Sequence, residues 1–245
     1  MGDSGIDRPA KFVAVITHVR EVSLLGTADL RFWQDRLRSE KLCPIECDGK
    51  AQILISAVDA RFKGLRFQEL SVSIAAGPVD GSAERAGYYL ARAFNSRRLF
   101  AWVERRMFST PYYHARVEVD CGLPASIDVA EGNRILLSAR MTSDGAGRVP
   151  LRSGDECWEG PIFLPRSQRR ADGQGKWFFA TIGGHTQTYA FAGSDALTLN
   201  PHGRHEIFQW LIDSDFKAGK WIIRENATHA RSKTFDTNKF AHRTR

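Results

Sequence analysis

Short segments rich in apolar and β-branched residues, separated by turn residues, fill the second half of the chain. They are ASIDVAEG, NRILLSARM, GPIFLP, KWFFATIGG, HTQTYAF and DALTLNP, which fall between residues 125 and 201. Closely spaced short strands bounded by Gly, Pro, Asn or Asp are typical of antiparallel sheets. We therefore predict an α+β fold: a single domain, residues 1–245, around a curved, mostly antiparallel sheet of barrel or cone shape with a few flanking helices.

The first half is predicted to mix strands with helices. FVAVITH at 12–18 indicates a strand, and the periodicity from about Thr27 to Leu42 indicates a helix with Thr27 as its N-cap. A helical block is predicted from Ser82 to Met107, either continuous or split at Asn95-Ser96, because its apolar residues recur at helical spacing. HEIFQWLIDSDFK, near the C-terminal end, indicates a further short helix.

Two strands, GKAQILISAV and GLRFQELSVSI, are predicted between those helices, after an Asp48-Gly49 turn. Alternation in the second strand places Leu70, Val72 and Ile74 on one face and Glu69 on the other. A carboxylate in the middle of a β-strand, beside small serine residues, is a candidate functional group.

The net charge and its distribution along the chain limit which binding partners we expect. The net charge is +7, and arginine doublets and a C-terminal tail from about residue 230 carry much of the excess. Such a tail is usually solvated or covers a partner, so nucleic acid is not an expected partner, although a basic adaptor for nucleic acid or protein stays a further alternative. Self-association into a homo-oligomer is left open by the sequence.

The sequence does not have the features of a membrane-spanning, secreted or zinc-binding protein. No apolar run approaches the roughly 20 residues needed to span a bilayer, and the polar start MGDSGIDRPAK lacks a signal pattern. We expect no membrane association and a cytoplasmic location. The four cysteines and seven histidines show no zinc-site spacing, so we expect neither a metal nor another cofactor.

The stretch MFSTPYYHARVEVD, residues 107–120, carries the most chemistry. Beyond the proline it alternates strictly, with His114, Arg116 and Glu118 on one face of the predicted strand. That face could simply meet water. If it lines an enclosed cavity, Arg116 could bind a substrate carboxylate in a bidentate manner, and His114 or Glu69 could transfer protons.

Taken together, FQELSVSI, a helical pair, WVERRMFSTPYYHARVEV and WFFATIGG resemble the acetoacetate decarboxylase-like superfamily over roughly residues 45–195. The resemblance implies a closed cavity, and it implies that Glu69 matches the strand glutamate that contacts substrate in that family. The family works through a Schiff base on a lysine that follows the proline turn, with a second lysine beside it. Tyr112 and Tyr113 stand at those positions in this chain, and no lysine occurs between Lys63 and Lys176.

The resemblance therefore implies the family's cavity without its nucleophile, unless Lys50 or Lys63 reaches the site from a neighbouring strand. Acetoacetate decarboxylation is not expected. The sequence does not decide which face of this strand lines the cavity. One face carries Tyr112, His114 and Arg116, and the other carries Tyr113, Ala115 and Val117.

The resulting hypotheses share one set of site residues. Glu69 and His114 are the predicted acid–base residues, and the predicted substrate-binding residues are Arg116, Tyr112, Tyr113 and Glu118. The first hypothesis is a protein that binds an apolar or carboxylate-bearing metabolite without Schiff-base chemistry, so that a small molecule is the expected ligand. The alternative is a lysine-independent enzyme of the lyase or hydratase type that acts on a carbonyl compound.

Overall fold

The computed structural model describes residues 11–79, 86–142, 148–166, 175–201 and 204–236. Within these ranges the chain forms fifteen strands and three helices. The helices are α1 (Leu30–Arg38), α2 (Arg98–Met107) and α3 (Ile207–Asp213). The strands are β1 (Phe12–Asp29), β2 (Leu42–Pro44), β3 (Glu46–Cys47), β4 (Lys50–Phe62), β5 (Leu65–Pro78), β6 (Gly87–Asn95), β7 (Tyr112–His114), β8 (Arg116–Asp120), β9 (Ser126–Glu131), β10 (Arg134–Arg140), β11 (Arg152–Leu164), β12 (Lys176–Ala190), β13 (Ala196–Leu199), β14 (Lys217–Ser232) and β15 (Phe235–Asp236).

Seven strands of the larger sheet form a closed path of backbone pairings, which we call the ring. The path runs β5–β4–β1–β14–β12–β11–β6, and β6 pairs with β5 again. Every pairing in it is antiparallel except that of β6 with β11. Irregularities in the β1–β14 and β12–β14 registers fit the strong curvature, because bulges increase bending and twist. The predicted fold class is confirmed.

The main hydrophobic core lies against the outer face of the ring. There Val22 and Leu24 of β1 and Ile223 of β14 pack in one cluster with Val117 of the second sheet and Phe208 of α3. The second sheet has the order β13–β10–β9–β8. Because side chains alternate along a strand, residues between these apolar positions face the opposite side, the inner face of the ring.

The helix after β1 begins later than predicted. Asp29, rather than Thr27, is the N-cap, and its Oδ1 accepts a hydrogen bond of 2.7 Å from the backbone N–H of Phe32. Thr27 belongs to β1, which extends the predicted 12–18 strand to residue 29. No helix in the described ranges is long and apolar enough to cross a membrane.

The predicted helical block from Ser82 to Met107 is wrong in its first part. Residues 87–95 form strand β6, residues 98–107 form helix α2, and 82–85 lie outside the described residues. Tyr89 and Phe94 of β6 pack in the main core, whereas Leu90 and Ala93 pack in a separate cluster on its other side. A strand that is apolar on both faces lacks a period of two, so its sequence resembles that of a buried helix.

Two further expectations are corrected. The predicted strand through residues 113–119 breaks at Ala115, since β7 joins the ring sheet beside β6 and β8 joins the second sheet. The expected tail from residue 230 begins inside structure: residues 230–232 complete β14, and Phe235–Asp236 form β15 beside β12. Residues 237–245 lie outside the described residues.

Closure of the ring requires a glycine where β6 meets β11. A methyl group on Gly87 would lie 2.0 Å from the carbonyl oxygen of Pro161. We expect Gly87→Ala to lower the free energy of unfolding by about 2 kcal/mol or more, because overpacking forces the backbone to move. Urea denaturation measures this change. Gly77→Ala is the control, since its methyl group would meet its nearest neighbour, Ala86 Cα, at 3.9 Å; equal losses in both variants would contradict the prediction.

Candidate functional site

Glu69 lies on β5, on the side of the strand opposite the main core, where protein surrounds its carboxylate although the residue as a whole is only partly buried. The Tyr112 hydroxyl donates a hydrogen bond of 2.5 Å to Oε1, and Asn95 Nδ2 donates one of 3.2 Å to Oε2. Three neighbouring strands supply these groups, since β6 pairs with β5 and β7 pairs with β6. Glu69 and Asn95 are direct cross-strand partners. We call the three residues the Glu69 triplet.

The surroundings of Glu69 make it a group that titrates near neutral pH. Burial raises its pKa to about 7, and the nearby carboxylate of Glu104 adds to the rise. The hydrogen bonds from Tyr112 and Asn95 and the charge of His229 act in the opposite direction. Burial and the carboxylates of Glu69 and Glu104 raise the pKa of Tyr112, so that its hydroxyl stays protonated and available as a donor.

Helix α2 and strand β14 add a charged pair beside the triplet. Arg231 Nη1 donates to Glu104 Oε2 at 2.7 Å, and Thr110 Oγ1 donates to the same oxygen at 3.1 Å. The guanidinium carbon of Arg231 lies 4.1 Å from the ring centroid of Phe178 and 4.7 Å from that of Phe108. Two aromatic faces and a carboxylate therefore hold this cation in one orientation.

Arg231 also has unused donors. Its Nε and Nη2 are buried, and neither finds a hydrogen-bond acceptor within the described part of the chain. A buried donor without a partner costs about 1–3 kcal/mol, and more when it is charged. A bound water, ion or ligand oxygen can satisfy such donors, and the planar guanidinium matches the geometry of a carboxylate.

A second polar cluster is built around Glu21 of β1, which is buried. Arg224 Nη1 donates to Glu21 Oε1 at 2.9 Å, and His229 Nε2 lies 3.1 Å from Oε2. Ser23 and Ser56 hydroxyls donate to Oε1 at 2.7 and 3.2 Å. Burial alone would raise the pKa of Glu21, but His229, Arg224 and Ser23 together lower it to about 2. This carboxylate therefore keeps its charge at neutral pH.

The sequence-predicted site residues lie in three places. Tyr112 joins Glu69 on the inner side of the ring, whereas Tyr113 and His114 line a cleft on the outside. Arg116 and Glu118 lie on an exposed face of β8 and pair with each other at 3.5 Å. Of the six residues, only Glu69 and Tyr112 lie together at the inner site; the break at residue 115 removes Arg116 and Glu118 by directing β8 into another sheet.

Sequence reasoning missed Asn95, Glu104, Arg231 and the Glu21 cluster. The sequence pattern at Asn95-Ser96 predicts only a point at which the helical block can split. Glu104 follows buried Ala101 by three residues, which puts both on one face of α2, so a carboxylate on the packed face was a usable signal. His229 and Arg231 flank Ala230 near the end of β14, but no sequence pattern connects them with α2.

A surface arrangement resembles a hydrolytic triad but lacks its environment. His185 Nε2 lies 3.1 Å from Ser153 Oγ, and His185 Nδ1 lies 3.2 Å from Asp155 Oδ1. The side chains of His185 and Asp155 are 60% and 91% exposed, respectively. Water competes for these hydrogen bonds, and nothing encloses a substrate there, so the inner site remains the candidate.

No family model and no curated protein matches the chain. Solved structures do. An acetoacetate decarboxylase from Legionella pneumophila subsp. pneumophila str. Philadelphia 1 superposes with a TM-score of 0.65 at 14% identity, covering 96% of this chain and 94% of that one. An acetoacetate decarboxylase-like enzyme from Sphingomonas wittichii RW1 gives 0.57 at 13% identity, covering 96% and 99%.

A third structure carries a bound product. The enduracididine biosynthesis enzyme MppR, complexed with the condensation product of pyruvate and imidazole 4-carboxaldehyde, gives a TM-score of 0.59 at 11% identity, covering 95% of this chain and 92% of that one. These likenesses define the class: the chain has the acetoacetate decarboxylase-like fold. The resemblance inferred from FQELSVSI and FSTPYYHA is confirmed at that level.

The hydrogen bond from Tyr112 stabilises the charged form of Glu69. We therefore expect Tyr112→Phe to raise the pKa of Glu69 above about 7, by roughly one pH unit, since such a bond to a charged group is worth about 1.5–3 kcal/mol. Carbon-13 NMR of the labelled glutamate carboxyl carbons, with Glu69→Gln to assign the signal, measures the titration. Tyr113→Phe is the control and should leave it unchanged; a lower pKa in Tyr112→Phe would contradict the prediction.

Proposed function

We propose that this protein binds a small metabolite with a carboxylate or carbonyl group on the inner side of the ring, between Glu69 and Arg231. The observation that carries the proposal is the pair of buried Arg231 nitrogens, Nε and Nη2, that no described residue accepts from. A ligand oxygen would supply the missing acceptor. Phe108 and Phe178 already fix the guanidinium, so little rotamer entropy is lost on binding.

The charge balance of the site permits such a ligand. Arg231 compensates Glu104 at 2.7 Å, and Glu69 has a pKa of about 7. With Glu69 protonated, the three groups are neutral together and can admit one anionic oxygen. A bound carboxylate would raise the pKa of Glu69 further, because like charges disfavour ionisation. Binding at neutral pH should then take up a proton.

The structural relatives are consistent with small carbonyl chemistry. The complex of MppR contains a condensation product of pyruvate, a small keto acid, and an aldehyde. Identity to this chain is only 11%, so the likeness supports a ligand class through the fold alone. The geometry of Glu69 and Arg231 carries the rest of the proposal.

A second candidate function, catalysis, is favoured by the pKa of Glu69. A carboxyl group with a pKa of about 7 can accept and return a proton at cellular pH. Tyr112 is 2.5 Å away and stays protonated, so it could donate a hydrogen bond to a substrate oxygen once Glu69 takes up a proton. We propose that any reaction is a lysine-independent addition or elimination next to a carbonyl, of the hydratase or lyase type.

Schiff-base chemistry is not part of the proposal. Lys50 and Lys63 are exposed, and Lys176 Nζ donates to Ser109 Oγ at 2.8 Å near the end of α2. Incubation with pyruvate and sodium borohydride should therefore leave the mass of the intact protein unchanged, because an imine must form before it can be reduced. Mass spectrometry checks this result. A reduced adduct, above all on Lys176, would contradict the prediction.

Arg231 should be necessary for ligand binding. In a thermal-shift screen of keto acids and aliphatic and aromatic carboxylates, a ligand at about 100 times its Kd adds about 2.7 kcal/mol, roughly 5–10 °C for a domain of this size. We expect Arg231→Lys to remove that shift, because a lysine keeps the charge but lacks the planar set of donors.

Arg116→Lys is the matched control, since Arg116 is exposed on β8 and should not affect the shift. Calorimetry of the active compound in buffers of different ionisation enthalpy then tests for the proton taken up at pH 7. An unchanged shift in Arg231→Lys, or its loss in Arg116→Lys, would contradict the proposed site.

A further inference from the structure

A cleft of about 420 Å³ lies on the outside of the ring, apart from the Glu69 triplet. The side chains that line it include Arg92 of β6, Arg105 of α2, and Tyr113 and His114 of β7. Arg204 and His205, from the segment before α3, line it as well. Three arginines and two histidines from separate elements thus converge on one concave surface, which we call the arginine cleft.

Tyr113 organises the basic side chains. The guanidinium carbon of Arg92 lies 4.8 Å from the centroid of its ring, and that of Arg105 lies 5.6 Å from it. The imidazole of His205 packs against the same ring at 4.7 Å and against Phe94 at 4.9 Å. Cation–π contact orients a guanidinium while leaving its N–H groups free to bind an acceptor.

No carboxylate in the described part of the chain lies within ion-pair distance of Arg92 or Arg105, although Glu131 and Glu206 also line the cleft. In the described ranges neither residue forms an ion pair, and the buried Nε of Arg92 has no hydrogen-bond acceptor. Arg204 differs, since it contacts Glu131, a carboxylate that also lines the cleft, at 3.5 Å. Glu206 also lines the cleft but is exposed, where water and salt screen its charge.

We infer that the arginine cleft binds the phosphate group of a small molecule between Arg92 and Arg105. Two uncompensated guanidinium groups that approach from a strand and a helix match a tetrahedral dianion, whereas a carboxylate would neutralise only one of them. The volume exceeds that of a phosphate ion, so there is room for an attached organic group. Buried His205 offers a further polar contact; burial and the charge of Arg92 lower its pKa, which keeps the ring neutral.

Calorimetric titration of the full chain at constant ionic strength tests this inference. The probes are inorganic phosphate and a nucleoside monophosphate, with acetate as the anion that lacks a phosphate. We expect saturable binding of both phosphates and at least tenfold weaker binding in Arg92→Gln and Arg105→Gln. Arg106→Gln, which removes the same charge from the neighbouring exposed position of α2, is the matched control and should bind as the unmodified protein does.

Arg105 is exposed on α2, so its variant keeps the test valid if Arg92→Gln fails to fold. In the unmodified protein, phosphate should also shift the ring signals of His205 in a carbon–proton NMR spectrum. Equal weakening in Arg105→Gln and Arg106→Gln would overturn the inference, as would equal binding of acetate. So would binding of the nucleotide without any response to inorganic phosphate. None of these outcomes bears on Arg231, so the proposed inner site is tested separately.

Discussion

Closure of the large sheet through β6 is the interaction on which the rest of the structure depends. One edge of β6 pairs with β5, while the other meets β11 near its start and β7 near its end. A closed path of strands has two faces, and here the main core covers the outer one. The inner face can then carry polar and charged side chains, provided that they satisfy one another, because an unpaired buried charge is very costly.

The two inner carboxylates meet that requirement in different ways. Glu21 has a full cation, Arg224, together with His229 and two hydroxyl donors, and its pKa falls to about 2. Among the described residues, Glu69 accepts hydrogen bonds from the neutral donors Tyr112 and Asn95 and has no paired cation, and its pKa rises to about 7. One inner face therefore carries one carboxylate that stays charged and another whose charge changes near neutral pH.

Much of the fold, but little of the site, could be predicted from the sequence. The two faces of β5 followed from alternation, and the resemblance at FQELSVSI and FSTPYYHA indicated the architecture. The sequence of β6 wrongly predicts a helix because both faces of the strand are buried, so that its apolar residues do not alternate with polar ones. The break at Ala115 was invisible because the alternating pattern continues across it. The contact of Arg231 with Glu104 joins residues far apart in sequence, and no local pattern reports it.

Two pairs of adjacent residues divide their side chains between the inner site and the arginine cleft. Glu104 and Tyr112 belong to the inner site, whereas Arg105 and Tyr113 line the cleft. The end of α2 and the start of β7 therefore contribute side chains both to the inner site and to the arginine cleft. A deletion or insertion of a single residue between α2 and β7 would shift β7 by one residue along its neighbour. The two tyrosines would then face the opposite sides of the sheet, so both sites would be damaged together. Over evolutionary time, the length of this connection should therefore vary little.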